Sequence, residues 1–237
     1  MLRSFVALEA LYSEYDKAQS ELEGVIGKPI CIEACGRCCE SMTPEVSRLE
    51  ALYILAHASF LPTYQDLRDR AEQWLTDQQI ELHDDPAAFG QDYQALKHVG
   101  CPFLAEDKTC MVYNFRPLAC RSYGVIRAAD PWCPRPLHYT ESDSNRMIIG
   151  QDTPRGFRIK AMINFIINYV KSWKPELSQV GLLPSFIAKE VVVQDKLGMM
   201  PIALAKRLRR ESKSSALFAE QFGQTLVREM ERNPYVE

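Results

Sequence analysis

The sequence predicts a mainly α fold, a single helical domain whose helices are interrupted by an irregular cysteine-rich stretch. Three observations lead there. Apolar residues recur at three- and four-residue steps over most of the 237-residue chain outside the cysteine segments. Hydrophobic residues make up 46% of the chain, enough for a core that needs no cysteine staples. From Gly100 to about Pro154 neither a helical nor a strand period is sustained, and Pro102, Pro117, Pro131, Pro134 and Pro136 interrupt any long helix or central strand.

The elements follow in order. Phe5, Leu8, Leu11, Tyr12, Tyr15, Ala18 and Leu22 mark an amphipathic first helix, capped by Ser4 and stopped at Gly24 or Gly27. Thr43-Pro44 sets a capping hydroxyl before a proline suited to a first turn, and Val46, Leu49, Leu52, Tyr53 and Ala56 give the second helix its buried face. A third runs from about Thr63 through Leu67, Ala71, Trp74 and Leu75. A weaker one covers Ala87 to Lys97, with Asp84-Asp85-Pro86 read as its start rather than as a catalytic carboxylate pair. After Thr153-Pro154 the helical period resumes through Ile159, Met162, Ile163, Ile166, Ile167, Val170 and Trp173 until Lys174-Pro175. Helices near Pro184 to Lys196 and Ser212 to Arg232, with a short one starting near Pro201, complete a helical remainder over 154–233. No internal repeat or low-complexity linker divides the chain, so residues 1–237 read as one domain.

Charge narrows the partners. A formal net charge of -3 argues against a protein whose whole surface binds nucleic acid or anionic lipid. The one concentrated basic patch, Lys206-Arg207-Leu208-Arg209-Arg210 with Lys213, lacks aromatic or motif context and reads as a solvated helix face. Glu9 interrupts the apolar start Met1 to Leu8, and Asn164 and Asn168 interrupt the apolar run Met162 to Val170. Neither is a membrane or export element, so a cytoplasmic protein is expected.

In such a compartment eight cysteines point to metal or redox chemistry rather than to disulfides. Four crowd into Cys31-Ile-Glu-Ala-Cys35-Gly-Arg-Cys38-Cys39; Cys101, Cys110, Cys120 and Cys133 follow. Metal-binding elements are therefore expected at 31–39 and 101–133. Thiolate is the ligand form, and a turn through Gly36, free to take positive φ, makes Cys35 and Cys38 half a metal knuckle. The later cysteines are separated by eight, nine and twelve residues and form no second knuckle, which fits paired zinc fingers poorly. A [4Fe-4S] cluster accepts a close group plus distant ligands, because its four thiolates sit on separate corners. Neighbouring side chains at Cys38 and Cys39 diverge, so they could serve different iron atoms, or one could be a buried thiol.

These motifs carry a resemblance. Cys35-Gly-x-Cys38-Cys39, Cys101-Pro102-Phe103-Leu104 and Cys110-x-Val-Tyr113-x-x-Arg116-Pro117-x-x-Cys120-Arg121 are similar to the YkgJ-type cysteine-cluster family of zinc- or iron-chelating proteins. Related motifs occur in flagellin lysine N-methylases, and that resemblance implies an iron–sulfur centre. The family's leading cysteine commonly precedes the Cys-Gly pair by three residues, whereas Cys31 precedes Cys35 by four. Cys133 lies outside the similar block. The ligands are thus expected among Cys35, Cys38, Cys39, Cys101, Cys110 and Cys120.

A cubane with four thiolates is anionic, so Arg37, Arg116 and Arg121 are candidates to donate charge-assisted hydrogen bonds to it; pairing with surface carboxylates is the ordinary alternative. Phe103, Tyr113, Phe115 and Tyr123 could exclude water from the site, or simply belong to the core. His98 and His138 are near cysteines but are less favoured as ligands than the thiolates, and His57 and His83 have no ligand-like context. Cys31-x-x-x-Cys35-x-x-Cys38 also copies the spacing of radical S-adenosylmethionine enzymes, whose alternating strands and helices this chain lacks. Motifs for dinucleotide, phosphate, zinc-protease or serine-hydrolase chemistry are missing, and no S-adenosylmethionine site is visible. The expectation is an iron–sulfur protein acting in electron transfer, redox sensing or a redox-linked reaction with an unidentified redox or protein partner. A structural zinc module without chemistry of its own, and an enzyme using iron directly, stay open.

Overall fold

The structure, a computed structural model, describes residues 2–27, 29, 36–58, 64–80, 96–121, 168 and 178–196. Of these, 63% are helical and few are in strands, which supports a mainly α class. The expected helices at 154–174, near 201 and at 212–232 lie outside the described residues, apart from a helical Asn168, as does nearly all of that at 87–97. So do Asp84-Asp85-Pro86 and the basic patch at 206–213.

Helix α1 (Leu2–Ile26) buries Phe5, Leu8, Leu11, Tyr12 and Tyr15 on one face. It begins before Ser4, so that residue lies within the helix, and it runs through Gly24. Gly27 ends it: at φ 72° its N–H returns to the Glu23 carbonyl at 2.8 Å, the left-handed stop that glycine adopts without strain.

The second helix starts later than Thr43-Pro44 suggests. Residues Glu45–Ser47 form a short strand, β1, and α2 occupies Arg48–Ala58. The physical reason is that Thr43 Oγ1 donates to the carbonyls of Val99 (2.8 Å) and Gly100 (3.3 Å), which removes it from capping. Ser47 is the cap instead. Its hydroxyl accepts from Glu50 N–H at 3.3 Å, while Glu50 Oε2 accepts from Ser47 N–H and Oγ, both at 2.9 Å. This is the reciprocal capping box, S-x-x-E. Every residue of α2 except Arg48 and His57 is buried, so it is a central helix rather than one with a single apolar face.

Helix α3 (Tyr64–Asp77) buries Leu67, Ala71, Trp74 and Leu75, as its periodicity predicts. It stops without glycine. Gln79 adopts φ 56°, Ile80 N–H bonds Leu75 O at 2.9 Å, and Gln79 N–H bonds Thr76 O at 3.0 Å, the paired bonds of a Schellman ending.

A short helix α4 (Leu118–Arg121) follows in the cysteine-rich stretch. Strand β2 (Val180–Leu182) then pairs antiparallel with β1, matching Val46 with Gly181, and leads directly into α5 (Leu183–Lys196). Helix α5 packs against α3 and α2. Its Leu183, Phe186, Ile187 and Ala188 join Val46, Ile54, Leu55, Leu67 and Trp74 in one core. Cys39, Cys101 and Phe103 belong to that core too. No helix among the described residues is long and apolar enough to cross a membrane.

Candidate metal centre

The first cysteine element is a tight turn. Residues Arg37–Glu40 form one 3-10 turn, closed by a 2.8 Å bond from Cys39 N–H to Gly36 O. Gly36 sits at φ -107°, not in the left-handed region that a knuckle suggests. Its missing side chain serves a close approach instead. A Cβ there would overlap Leu104 Cδ1 and lie 2.7 Å from the Lys108 carbonyl oxygen, to which Gly36 N–H donates at 3.1 Å. Gly100 does the same on the other side, where a Cβ would stand 3.1 Å from Glu40 O.

The second element, over 100–121, has no long helix or strand and is ordered by its own main-chain bonds; the rest of the expected irregular stretch, 122–154, lies outside the described residues. Leu104 and Cys110 form an antiparallel bridge, Met111 N–H bonds Phe103 O at 3.0 Å, and Ala105 N–H bonds Thr109 O at 2.9 Å. Asp107 Oδ1 accepts from both the N–H and the hydroxyl of Thr109, and Lys108 takes φ 67° at the tip. The result is a small hairpin, invisible to periodicity because its paired runs are too short. It is wired to the turn by Cys101 N–H to Cys39 O at 2.7 Å. Helix α3 holds its base: Trp74 Nε1 donates to Gly100 O at 3.0 Å, and Arg70 Nη1 to Leu104 O at 3.2 Å.

The main chain thereby brings the cysteines together. Cys39 is the hub, its thiol hydrogen-bonded with those of Cys101, Cys110 and Cys38. Those contacts, in that order, hold the Cys39 proton and push its pKa up. Two of those thiols go the other way: contact with Cys39 brings Cys38 down to about 7 and lowers Cys110, with the Arg116 charge helping at both. Cys120, on α4, feels the same group from further off. Burial pushes its thiol up first, and the charges of Cys38, Cys101, Cys110 and Glu50 add to that. Although the residue as a whole is partly exposed, its sulfur is desolvated. Among the described residues no three His, Cys, Asp or Glu side chains are placed so that they could together hold a metal ion as they stand; the thiols meet through Cys39.

Such a donor set fits a cation. Thiols this close cannot all ionise on their own, because each thiolate raises the pKa of the next. A thiophilic metal removes that conflict by supplying positive charge to the deprotonated sulfurs. The residues that would hold it are Cys38, Cys39, Cys101, Cys110 and Cys120. Cys31, Cys35 and Cys133 lie outside the described residues, as do His138, His83 and Tyr123.

The three arginines separate. Arg37 is exposed on the 3-10 turn. Arg121 is buried, and its donors go to Asp16 (Nη1 to Oδ1 and Oδ2 at 2.6 and 2.7 Å), Asn114 O (2.9 Å) and Arg116 O (2.9 Å). Its guanidinium also lies 4.3 Å from the Tyr12 ring. Arg116 alone among them acts electrostatically on the Cys38 and Cys110 thiols. Of the aromatics, Phe103 is wholly buried, and Phe115 stacks on His57 with ring centroids 4.6 Å apart. His57 is buried enough that its pKa falls, and His98 is exposed.

The residue that sequence reasoning missed is Glu50. Besides closing the α2 cap, its Oε1 accepts from Leu118 N–H at 2.7 Å and from Tyr12 Oη at 3.1 Å. One buried carboxylate thus ties α1, α2 and the start of the Cys120-bearing helix α4. The signal for the cap was present as Ser47-x-x-Glu50; nothing local signalled the link to Leu118.

Residues 30–135 match the CxxCxxCC family model, described as a "putative zinc- or iron-chelating domain". No curated protein and no solved structure matches the chain.

Proposed function

We propose that this chain, whose residues 30–135 match a model described as a "putative zinc- or iron-chelating domain", holds an iron–sulfur centre, [4Fe-4S], for redox work. One observation carries the reading: thiols from three separate pieces of chain, the 3-10 turn, the hairpin and α4, gather at the edge of the hydrophobic core. A single tetrahedral ion takes four ligands, whereas this group already has five cysteines before Cys35 is counted. A cluster with ligands on separate corners takes its four from such a set, here among Cys35, Cys38, Cys39, Cys101, Cys110 and Cys120. When bound, it supplies one-electron exchange with a redox partner. Phe103, Val112 and Leu96, buried in the same core as Cys39 and Cys101, would keep water from it.

A second reading has its own observation. Cys39 touches three other thiols directly, and Zn–S bonds of about 2.3 Å put the sulfurs of a tetrahedral zinc site only about 3.8 Å apart. Structural zinc would make the centre a fold-holding element without chemistry.

Metal and acid-labile sulfide analysis of anaerobically purified protein separates the two. The iron–sulfur reading expects comparable iron and sulfide and a visible absorption that bleaches with dithionite, with the cluster lost in Cys39→Ser and Cys120→Ser. Stoichiometric zinc without sulfide, in a colourless protein that unfolds on chelation, overturns it in favour of the second reading.

A further inference from the structure

Four of the five described cysteines are placed by main-chain bonds, and one is not. Cys38 and Cys39 lie in the 3-10 turn that Cys39 N–H closes on Gly36 O, Cys101 N–H bonds Cys39 O at 2.7 Å, and Cys110 pairs with Leu104 in the hairpin. Cys120 rides on α4, a single turn closed by Arg121 N–H on Pro117 O at 2.9 Å. One turn fixes too many dihedral angles for its few bonds to persist alone, so α4 takes its order from outside.

Two carboxylates on other helices supply it. At the first residue of α4, Leu118 N–H donates to Glu50 Oε1 of α2 at 2.7 Å. At the last, Arg121 Nη1 donates to both carboxylate oxygens of Asp16 on α1, at 2.6 and 2.7 Å. Glu50 is buried, and its other oxygen is fixed by Ser47 N–H and Oγ at 2.9 Å, while Tyr12 Oη donates to Oε1 at 3.1 Å. The carboxylate is therefore oriented by α1 and α2, and α4 docks onto it. Cys120 lies between the two anchors, two residues after Leu118 and one before Arg121. Without Glu50 the part-buried Leu118 N–H loses its acceptor, which favours α4 lifting away.

We propose that Glu50 is a positioning residue for Cys120: through Leu118 it sets where α4 presents that thiol, so that Cys120 closes the metal centre as its last and most readily released ligand. Asp16, acting through Arg121, is the second anchor. This rests on the reading of these cysteines as metal ligands, and it holds for an iron–sulfur or a zinc centre alike. The centre is then two-tiered. The cysteines of the turn and the hairpin stay together when α4 lifts, and one coordination position opens.

The test is alkylation of the native, metal-holding protein by iodoacetamide, each cysteine followed separately by mass spectrometry, with iron, sulfide and zinc measured first. Wild type is compared with E50A, D16A and S47A. In E50A, Cys120 is expected to react about tenfold faster, while Cys38, Cys39, Cys101 and Cys110 keep their wild-type rates. D16A should raise the Cys120 rate by less, because Asp16 is half-exposed and water replaces it in part. S47A removes the α2 cap but leaves the bond from Leu118 to Glu50, and should change no cysteine. A Glu50 that only stabilised the fold would speed all the cysteines together. Equal acceleration of all five in a folded E50A or D16A protein, an unmoved Cys120, or an S47A effect as large as that of E50A therefore overturns the proposal. Should E50A fail to fold, D16A against S47A decides. A wild type that holds no metal overturns the metal reading and the proposal together; one that holds metal, but whose Cys120 reacts as fast as it does after chelation, overturns the proposal alone.

Discussion

The two halves of the cysteine site are built by different means. The half formed by the 3-10 turn and the 101–111 hairpin is held by backbone: two glycine approaches and main-chain bonds such as Cys101 to Cys39. The half that carries Cys120 is held by charge: the buried Glu50 on Leu118, and the half-exposed Asp16 on the buried Arg121. The difference teaches where each half is vulnerable. A backbone clamp leaves its side chains free to bind metal, and is spoiled by added bulk. A charged brace tolerates bulk but fails when one partner is removed, because the other is stranded in a low-dielectric interior.

Three substitutions would break or sharpen that contrast. Glu50→Ala should do the most, since it strands Leu118 N–H, Tyr12 Oη and the Ser47 donors together. A loss of about 3–5 kcal/mol in urea unfolding is expected; a loss below about 1 kcal/mol would mean that water readily replaces the carboxylate. Gly36→Ala comes next, at about 1–3 kcal/mol of overpacking strain. Its mark should be reduced metal content in protein that still folds, because Leu104 and the Lys108 carbonyl must withdraw from the turn; full metal content in a protein of unchanged stability would show that the approach is not limiting. Lys108→Ala should do least. Its bridge to Glu40 at 3.3 Å joins two exposed side chains and contributes about 0–1 kcal/mol, so a measurable loss of metal there would place the tip of the hairpin closer to the centre than its exposure suggests.

The helices were legible where a buried face repeats. Phe5 through Tyr15 in α1 and Leu67 through Leu75 in α3 sit where their spacing puts them. Legibility ended where a local signal had a distant partner. Thr43 looks like a cap next to Pro44, but its hydroxyl belongs to carbonyls 56 and 57 residues away. Gln79 and Lys108 adopt positive φ without being glycine, so neither the end of α3 nor the hairpin tip carried the usual mark. The β1–β2 ribbon is three residues wide on each side, too short for a period. Of the site, the cysteine motifs pointed to 31–39 and 101–133 as its two pieces; of their cysteines the structure describes five, and Cys38, Cys101 and Cys110 lie against Cys39. That Arg121 spends its donors on Asp16 was illegible, because the carboxylate lies 105 residues upstream.

The pairing of Val46 with Gly181 has a consequence for the order of events during synthesis. The wall that α5 contributes to the core is made roughly 150 residues after the first cysteines, and at ribosomal rates of about 5–20 residues per second it arrives on the order of ten seconds later. Until then Leu55, Trp74 and the thiol-bearing turn have no Phe186 or Ile187 to cover them. The nascent chain thus passes through an interval in which the core that includes Cys39 and Cys101 lacks one wall, before α5 closes over it.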